Sequence, residues 1–263
     1  YSTEQLFAVF DMAGLAAFGL ALLGVIGLEE RNVKVEAQSR ESQKAAIQAV
    51  LANPQARIFF VYLILLLAAI LGQDILLEPF GAYAFGMTVQ QTTQLTALWG
   101  GMTLLSLLIY GFVLNRYVSK KVGAFWGGSI AMIGLLLIAL SGGLALEPVF
   151  MLGVAVLGFG TGIATSTNLA LMLDMTTAEQ AGLFIGAWGV ADAMSRGLGM
   201  MLGGTVRDLV TALTGNVGMG YTTVFVIEAG LLFVSLTLLS SIDLKAFRKE
   251  QVSVYEVAAA MGD

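Results

Sequence analysis

Residues 111–121 read GFVLNRYVSKK, a short basic insertion between two long apolar runs. Arg116, Lys120 and Lys121 fall together there, in a chain otherwise dominated by Leu, Ala, Val and Gly. Outward from this loop, apolar runs alternate with polar connections. A membrane span needs about 20 apolar residues to cross a hydrocarbon core of roughly 30 Å. Seven segments qualify: 5–28, 57–78, 94–114, 122–145, 148–172, 181–206 and 221–242. Composition agrees, with 57% apolar and only 12% charged residues and a mean hydropathy of +0.85. The 32 glycines suit helices that pack closely through small side chains. The runs are too long and too evenly apolar for barrel strands, and open sheet edges are not viable in lipid. The expected fold class is an all-α integral membrane protein.

The charges that remain are ordered. Residues 29–57 carry Arg31, Lys34, Arg40, Lys44 and Arg57; the 111–121 loop adds three more, and Lys245, Arg248 and Lys249 follow the last span. With alternating crossings these segments share one side, which takes eleven of the 13 Lys and Arg residues. The positive-inside rule makes that side cytoplasmic, although the 173–180 loop on it carries Asp174 and Glu179 and no base. A net charge of −5 confined to loops and tails gives no reason to expect a nucleic-acid partner. Cys and His are both absent, which excludes disulfides, thiol chemistry, thiolate metal sites and imidazole proton shuttles. No metal site is expected, and any proton-linked step falls to carboxylates.

Residues 29–56 connect the first two spans, and VEAQSRESQKAAIQAVL within them reads as a helix along the membrane interface, ended by Asn53-Pro54. The chain begins at Tyr1 without a signal-peptide pattern, so an upstream part is expected. In this setting the 111–121 loop resembles the signature of the major facilitator superfamily, Gly-x-x-x-Asp-Arg-x-Gly-x-Arg/Lys-Arg/Lys. Gly111, Arg116, Lys120 and Lys121 are in register, whereas Asn115 and Val118 depart from the pattern. An ordinary positive-inside loop is the alternative. The resemblance implies the last helix of an N-terminal half (1–28), a cytoplasmic linker (29–56), a six-helix C-terminal half (57–243) and a cytoplasmic tail (244–263). It also implies that the missing N-terminal half of the same fold is a partner. The loop's basic residues are expected to engage helix C-termini and acids of neighbouring helices.

Charge inside the membrane costs a few kcal/mol per residue on insertion scales, so each case is a functional candidate. Asp192 and Arg196 stand one helical turn apart with opposite signs. Asp192 lies about 17 Å into its span at roughly 1.5 Å per residue. The pair reads as a structural ion pair, as a polar floor for a ligand or gate, or as Arg196 snorkelling to the lipid edge. Gly182, Gly186, Ala193 and Gly197 on the same helix form a small-residue track for close packing. Glu228 has no partner within a turn on its own helix and needs either a proton or a cation from another helix. Asp11 sits similarly in the first span. In GQDILLEPFGAYAFG, residues 72–86, Asp74 and Glu78 are a turn apart, with Pro79 behind them. At about 25 Å beyond Arg57 they are placed near the outer interface, where the chain turns away with Gly81 and Gly86 as pivots. They read as a solvated helix end or as a defined acidic site flanked by Phe80, Tyr83 and Phe85.

Three longer blocks carry a more specific resemblance: QDILLEPFGAYAFGMTVQQTTQLTALWG (73–100), AGLFIGAWGVADAMSRGLG (181–199) and YTTVFVIEAGLLF (221–233). Together they resemble the PucC family, the bacteriochlorophyll-delivery branch of the major facilitator superfamily that includes LhaA-type proteins of purple bacteria. The similarity covers most of residues 57–243. It implies a non-enzymatic assembly factor for photosynthetic antenna complexes in the bacterial inner or intracytoplasmic membrane. Such a factor hands (bacterio)chlorophyll to light-harvesting polypeptides or shepherds their assembly, with the reaction-centre core as a further partner. The motif positions implied as functional are Gln73, Asp74, Glu78, Pro79 and Gly81, then Gly186, Trp188, Gly189, Asp192 and Arg196, and Glu228. Without His, a bound chlorophyll magnesium needs Glu, Asp, Asn, Gln, a carbonyl or water as ligand. Aromatic residues at helix ends serve equally as interfacial belts. The alternatives are a proton-coupled transporter of a small solute, using Asp11, Asp192 or Glu228, and a purely structural partner of a photosynthetic complex.

Overall fold

The computed structural model describes residues 11–12, 14–20, 22–23, 54–174 and 181–242. The chain divides into two compact units, residues 1–45 and 46–263. In the first, the described residues are helical, as expected for the 5–28 span, and Asp11 is exposed. The interfacial helix expected before Asn53 and the tail after residue 243 lie outside the described residues.

The described part of the second unit is built from seven α-helices: α1 Pro54–Gly72, α2 Leu77–Phe85, α3 Val89–Phe112, α4 Lys120–Leu144, α5 Glu147–Asp174, α6 Ala181–Thr214 and α7 Val217–Ser240. Five helical segments are long and apolar enough to cross a membrane. The sixth expected span, on α6, is long enough at 34 residues, but its polar and glycine-rich sequence keeps it below the hydropathy of the others. Local chemistry explains the ends. Pro54 opens α1, as a residue without an N–H can in a first turn. Thr88 and Gln91 form a capping box that starts α3 five residues before the predicted 94. Ser119 caps α4 and Asn216 caps α7. Gly86 closes α2 with a positive φ of 66°, which a glycine adopts without strain.

Glycine sets the spacing between α4 and α5. A Cβ at Gly127 would lie 2.5 Å from the Ala164 nitrogen, and one at Gly134 would lie 2.5 Å from that of Leu157. From the other side, Gly160 meets the Ala131 backbone. Next along, Gly158 abuts Trp99 of α3, and the Thr103 hydroxyl donates to the Gly158 carbonyl at 3.0 Å. On the other flank α7 packs against α1, α4 and α6. Phe59, Tyr62, Leu63, Leu66 and Ile70 of α1 are almost wholly buried in the shared core.

The two lysines of the basic loop bind helix ends as the sequence suggested. Lys120 Nζ lies 2.7 Å from Asp174 at the end of α5. Lys121 Nζ donates to the Ser240 and Ile242 carbonyls, at 2.9 and 2.6 Å, just past the last turn of α7. These contacts bring the ends of α5 and α7 to the same end of the bundle as the start of α4. Asn115 and Arg116 are exposed, and Gly111 faces open space.

Replacing Gly134 by Val is therefore expected to overpack the α4–α5 contact and cost about 1–3 kcal/mol. Gly100→Ala, where a Cβ meets nothing within 4 Å, is expected to be neutral or slightly stabilising. Thermal unfolding of the full-length protein in detergent checks this, and equal midpoints for the two variants would contradict the close approach.

Candidate functional site at a broken membrane helix

The polar residues gather where α1 stops. Pro79 has no N–H to donate to the Ile75 carbonyl, and its ring crowds that carbonyl, so a continuous helix through 75–79 is blocked. The chain instead closes a 3-10 turn over Gln73–Ile75, with the Leu76 N–H donating to the Gln73 carbonyl at 2.9 Å. It then restarts as α2, with Glu78 and Pro79 in the first turn. The break thus precedes Pro79, and the expectation that the chain turns away after it is corrected. Gly81 is no pivot, since a Cβ there would press on Met87, Leu95 and Phe150 at 3.0–3.2 Å. Gly86 does turn the chain.

The break is also deeper than expected. Gly72 faces Glu228, whose Oε1 would lie 2.7 Å from a Cβ at that glycine. Glu228 stands about 16 Å along α7 from its first residue, near the middle of that helix. Beyond the break, Phe80 packs on Tyr221 and Phe225 nearer the start of α7, with ring centroids 5.5 and 5.2 Å apart. Gln73 and Asp74 are therefore level with the middle of α7 rather than at the outer mouth.

Arg196 joins two helices here. Its Nε lies 3.1 Å from Asp192 Oδ2, one turn back on α6, and its Nη1 lies 3.5 Å from Asp74 Oδ2. Gln73 Nε2 donates to Asp74 Oδ1 at 2.9 Å. Behind this trio sit groups without partners: Gln73 Oε1 and both Glu228 oxygens are buried with no hydrogen bond among the described residues. The trio itself opens outward, with the Arg196 side chain 47% exposed and those of Asp74 and Asp192 31% and 35%.

The remaining candidates are elsewhere. Glu78 accepts a hydrogen bond from Thr96 of α3 at 2.8 Å, so the helix break separates it from Asp74. Trp188 is half-buried against the core, and Gly186 and Gly189 face open space. In the small-residue track expected at Gly182, Gly186, Ala193 and Gly197, the last three make no close contact, and the surroundings of Gly182 lie outside the described residues. Gly197 meets nothing within 4 Å, and Ala193 is exposed. The packed face runs through Ala191, Ser195, Gly199 and Gly203, also spaced four apart. The Ser195 hydroxyl lies 3.1 Å from the Ile64 carbonyl, and a Cβ at Gly199 would be 2.8 Å from Gly72 Cα. Gly72, Ser195 and Gly199 are thus the residues that sequence reasoning missed, and the four-residue spacing of Ser195 and Gly199 on α6 was the available signal.

Among the described residues no group of three or more His, Cys, Asp or Glu is arranged to hold a metal ion. The Gln73 and Glu228 oxygens are hard ligands suited to magnesium. They do not fit a chlorophyll, because the Gly72–Gly199 backbone contact leaves no room beside them for a macrocycle. Asp74 and Asp192, the more open carboxylates, are already engaged by Arg196.

Fold and site together define a polytopic α-helical membrane protein whose buried polar groups gather at a discontinuous helix. Comparison with known proteins gives its kinship. The chain belongs to the PUCC protein family, whose model matches residues 1–247. It is 34% identical over 167 residues to Protein PucC of Cereibacter sphaeroides, covering 62% of this chain and 36% of that protein. It is 39% identical over 137 residues to Protein PucC of Rhodovulum sulfidophilum, covering 52% and 30%. A third relative, the Bacteriochlorophyll synthase 44.5 kDa chain of Rhodobacter capsulatus, is 29% identical over 222 residues, covering 80% and 50%. The matched part of the chain spans about a third to a half of these relatives' length.

If Arg196 holds both acids, Arg196→Gln should cost about 1–3 kcal/mol of stability in detergent. Adding Asp74→Asn and Asp192→Asn to it should recover most of that loss. Additive effects in such a cycle would mean that the three residues are not coupled.

Proposed function

We propose that the chain belongs to a membrane assembly factor for photosynthetic light-harvesting complexes, one that handles (bacterio)chlorophyll while antenna polypeptides are put together. In this reading α1 to α7 form the C-terminal half of a major-facilitator-type protein, joined through the 29–56 linker to the last helix of an N-terminal half. It lies in a bacterial photosynthetic membrane with its lysine-bearing end cytoplasmic. The work is non-enzymatic. Family membership supports the role, and the names of the relatives point to the same pigment system.

The observation that carries the mechanism is the outward-facing Asp74–Arg196–Asp192 trio at the broken helix. Discontinuous helices in membrane carriers place functional groups at mid-membrane depth. Charges there are costly against lipid and are met by protein or by a water-filled cavity. Two carboxylates share one guanidinium, which leaves acceptor capacity for a donor from a neighbouring polypeptide. Antenna polypeptides and the reaction-centre core are the proposed neighbours. A second reading, a proton-coupled transporter, is favoured by the Glu228 carboxyl, buried and without a partner among the described residues.

The test is an absorption spectrum of the full-length protein, purified in mild detergent from its photosynthetic host, with associated polypeptides identified in the same sample. Pigment that stays after antenna polypeptides are stripped supports direct handling, whereas a colourless protein that keeps those partners is a scaffold. A colourless protein without them returns the reading to transport. In the host, the Asp74→Asn, Glu78→Gln double variant is expected to lower antenna absorption while still inserting in the membrane. With Asp74 and Glu78 in separate surroundings, Asp74→Asn alone should account for most of that loss. Normal antenna levels in the double variant would remove both residues from the site.

A further inference from the structure

Between α2, α4 and the start of α7 lies a pocket of about 600 Å³, within the size range of small-molecule sites. Phe80 and Tyr83 wall one side, and Gly142, Gly143, Met219 and Thr222 lie among the residues around the rest. Nothing lies within 4 Å of a Cβ built on Gly143, so that wall is flat and open. No lining residue is charged, which disfavours an ionic ligand.

Two hydrogen-bond donors in this pocket are unused. Asn216, also on the lining, accepts from the Met219 N–H through Oδ1 at 3.1 Å, and its amide N–H groups have no partner among the described residues. Helical threonines nearby turn their hydroxyls onto the carbonyl four residues back, as Thr223 does to Met219 and Thr214 to Val210, both within 2.8 Å. Thr222, whose hydroxyl and Phe80 both lie beside Gly142, makes no such bond among the described residues. Aromatic and glycine walls with two neutral donors match an apolar body that carries carbonyl oxygens.

We propose that this pocket binds the ester- or keto-bearing part of a neutral membrane-soluble amphiphile. Two sources share that chemistry: the periphery of a chlorophyll and the ester region of a bilayer lipid. The pigment case rests on the function proposed above and gives the pigment a place apart from the helix break, where a macrocycle does not fit. The lipid case is independent of it.

The experiment purifies the full-length protein from its photosynthetic host in mild detergent and quantifies co-purified pigments and lipids by extraction and mass spectrometry. Gly143→Trp plugs the pocket from a position with free space, Thr222→Val removes one donor at nearly constant shape, and Gly204→Trp, also in open space, is the control. The wild type and the control are expected to retain one ester- or keto-bearing amphiphile in near-equal amount to protein. Thr222→Val should retain about fivefold less, and Gly143→Trp should retain none. Loss of pigment with lipid unchanged supports the pigment source. Loss of a lipid with pigment unchanged supports the pocket and the lipid source, and leaves pigment handling to the test above. An unchanged complement in both pocket variants, or a wild type that retains no such molecule, overturns the proposal.

Discussion

One missing N–H governs the geometry of this helix bundle. Pro79 cannot complete the hydrogen bond that would carry α1 onward, so the chain breaks at Gln73–Leu76 and restarts as α2. The break is tolerable because neighbouring helices close over it. Gly72 and Gly199 bring the α1 and α6 backbones together, and Gln73 folds back onto Asp74. Discontinuous backbone at membrane depth persists only when protein surrounds it in this way. The break in turn presents Asp74 to Arg196 and sets Gly72 against Glu228, gathering side chains from three helices into one level of the bundle.

Much of this was legible from residue order, and the limits have physical causes. Five of the expected spans, the helical class and the lysine contacts follow from hydropathy and charge, which act locally and leave plain signals. The Asp192–Arg196 pair was readable because one turn of helix fixes its geometry. Its third member was not, because Asp74 arrives from another helix and a single sequence carries no record of that approach. Proline was read as a stop after itself, whereas its missing donor acts on the carbonyl four residues earlier. Counting residues from Arg57 places Asp74 near the outer interface, whereas its contacts set it level with the middle of α7. On α6, two four-residue tracks of small side chains compete, and only the neighbouring helix decides which is packed.

The broken helix and the pocket are linked through α2. Only α2, nine residues long, lies between the break and the pocket, and Phe80 on it touches Phe85, Phe150, Tyr221 and Phe225 in one aromatic cluster. Edge-to-face packing of this kind favours particular ring orientations. A shift of α2 relative to α7 therefore disturbs several ring contacts at once. Asp74 stands in the turn just before α2, and the pocket wall of Phe80 and Tyr83 lies on α2 itself.

The 34-residue length of α6 has a consequence for the surface of the membrane. At 1.5 Å per residue it extends about 51 Å, against a hydrocarbon thickness of roughly 30 Å. Tilt alone would have to reach about 54° to hide it, beyond the range that membrane helices adopt. Part of α6 must lie outside the hydrocarbon core. The Arg207–Asp208 ion pair, at 2.7 Å, and the Arg207 guanidinium over the Tyr221 ring, at 5.6 Å, lie on its last two turns. Phospholipid headgroups and water are the natural surroundings for such groups. That end of α6 therefore offers a neighbour polar, headgroup-level chemistry rather than an apolar flank.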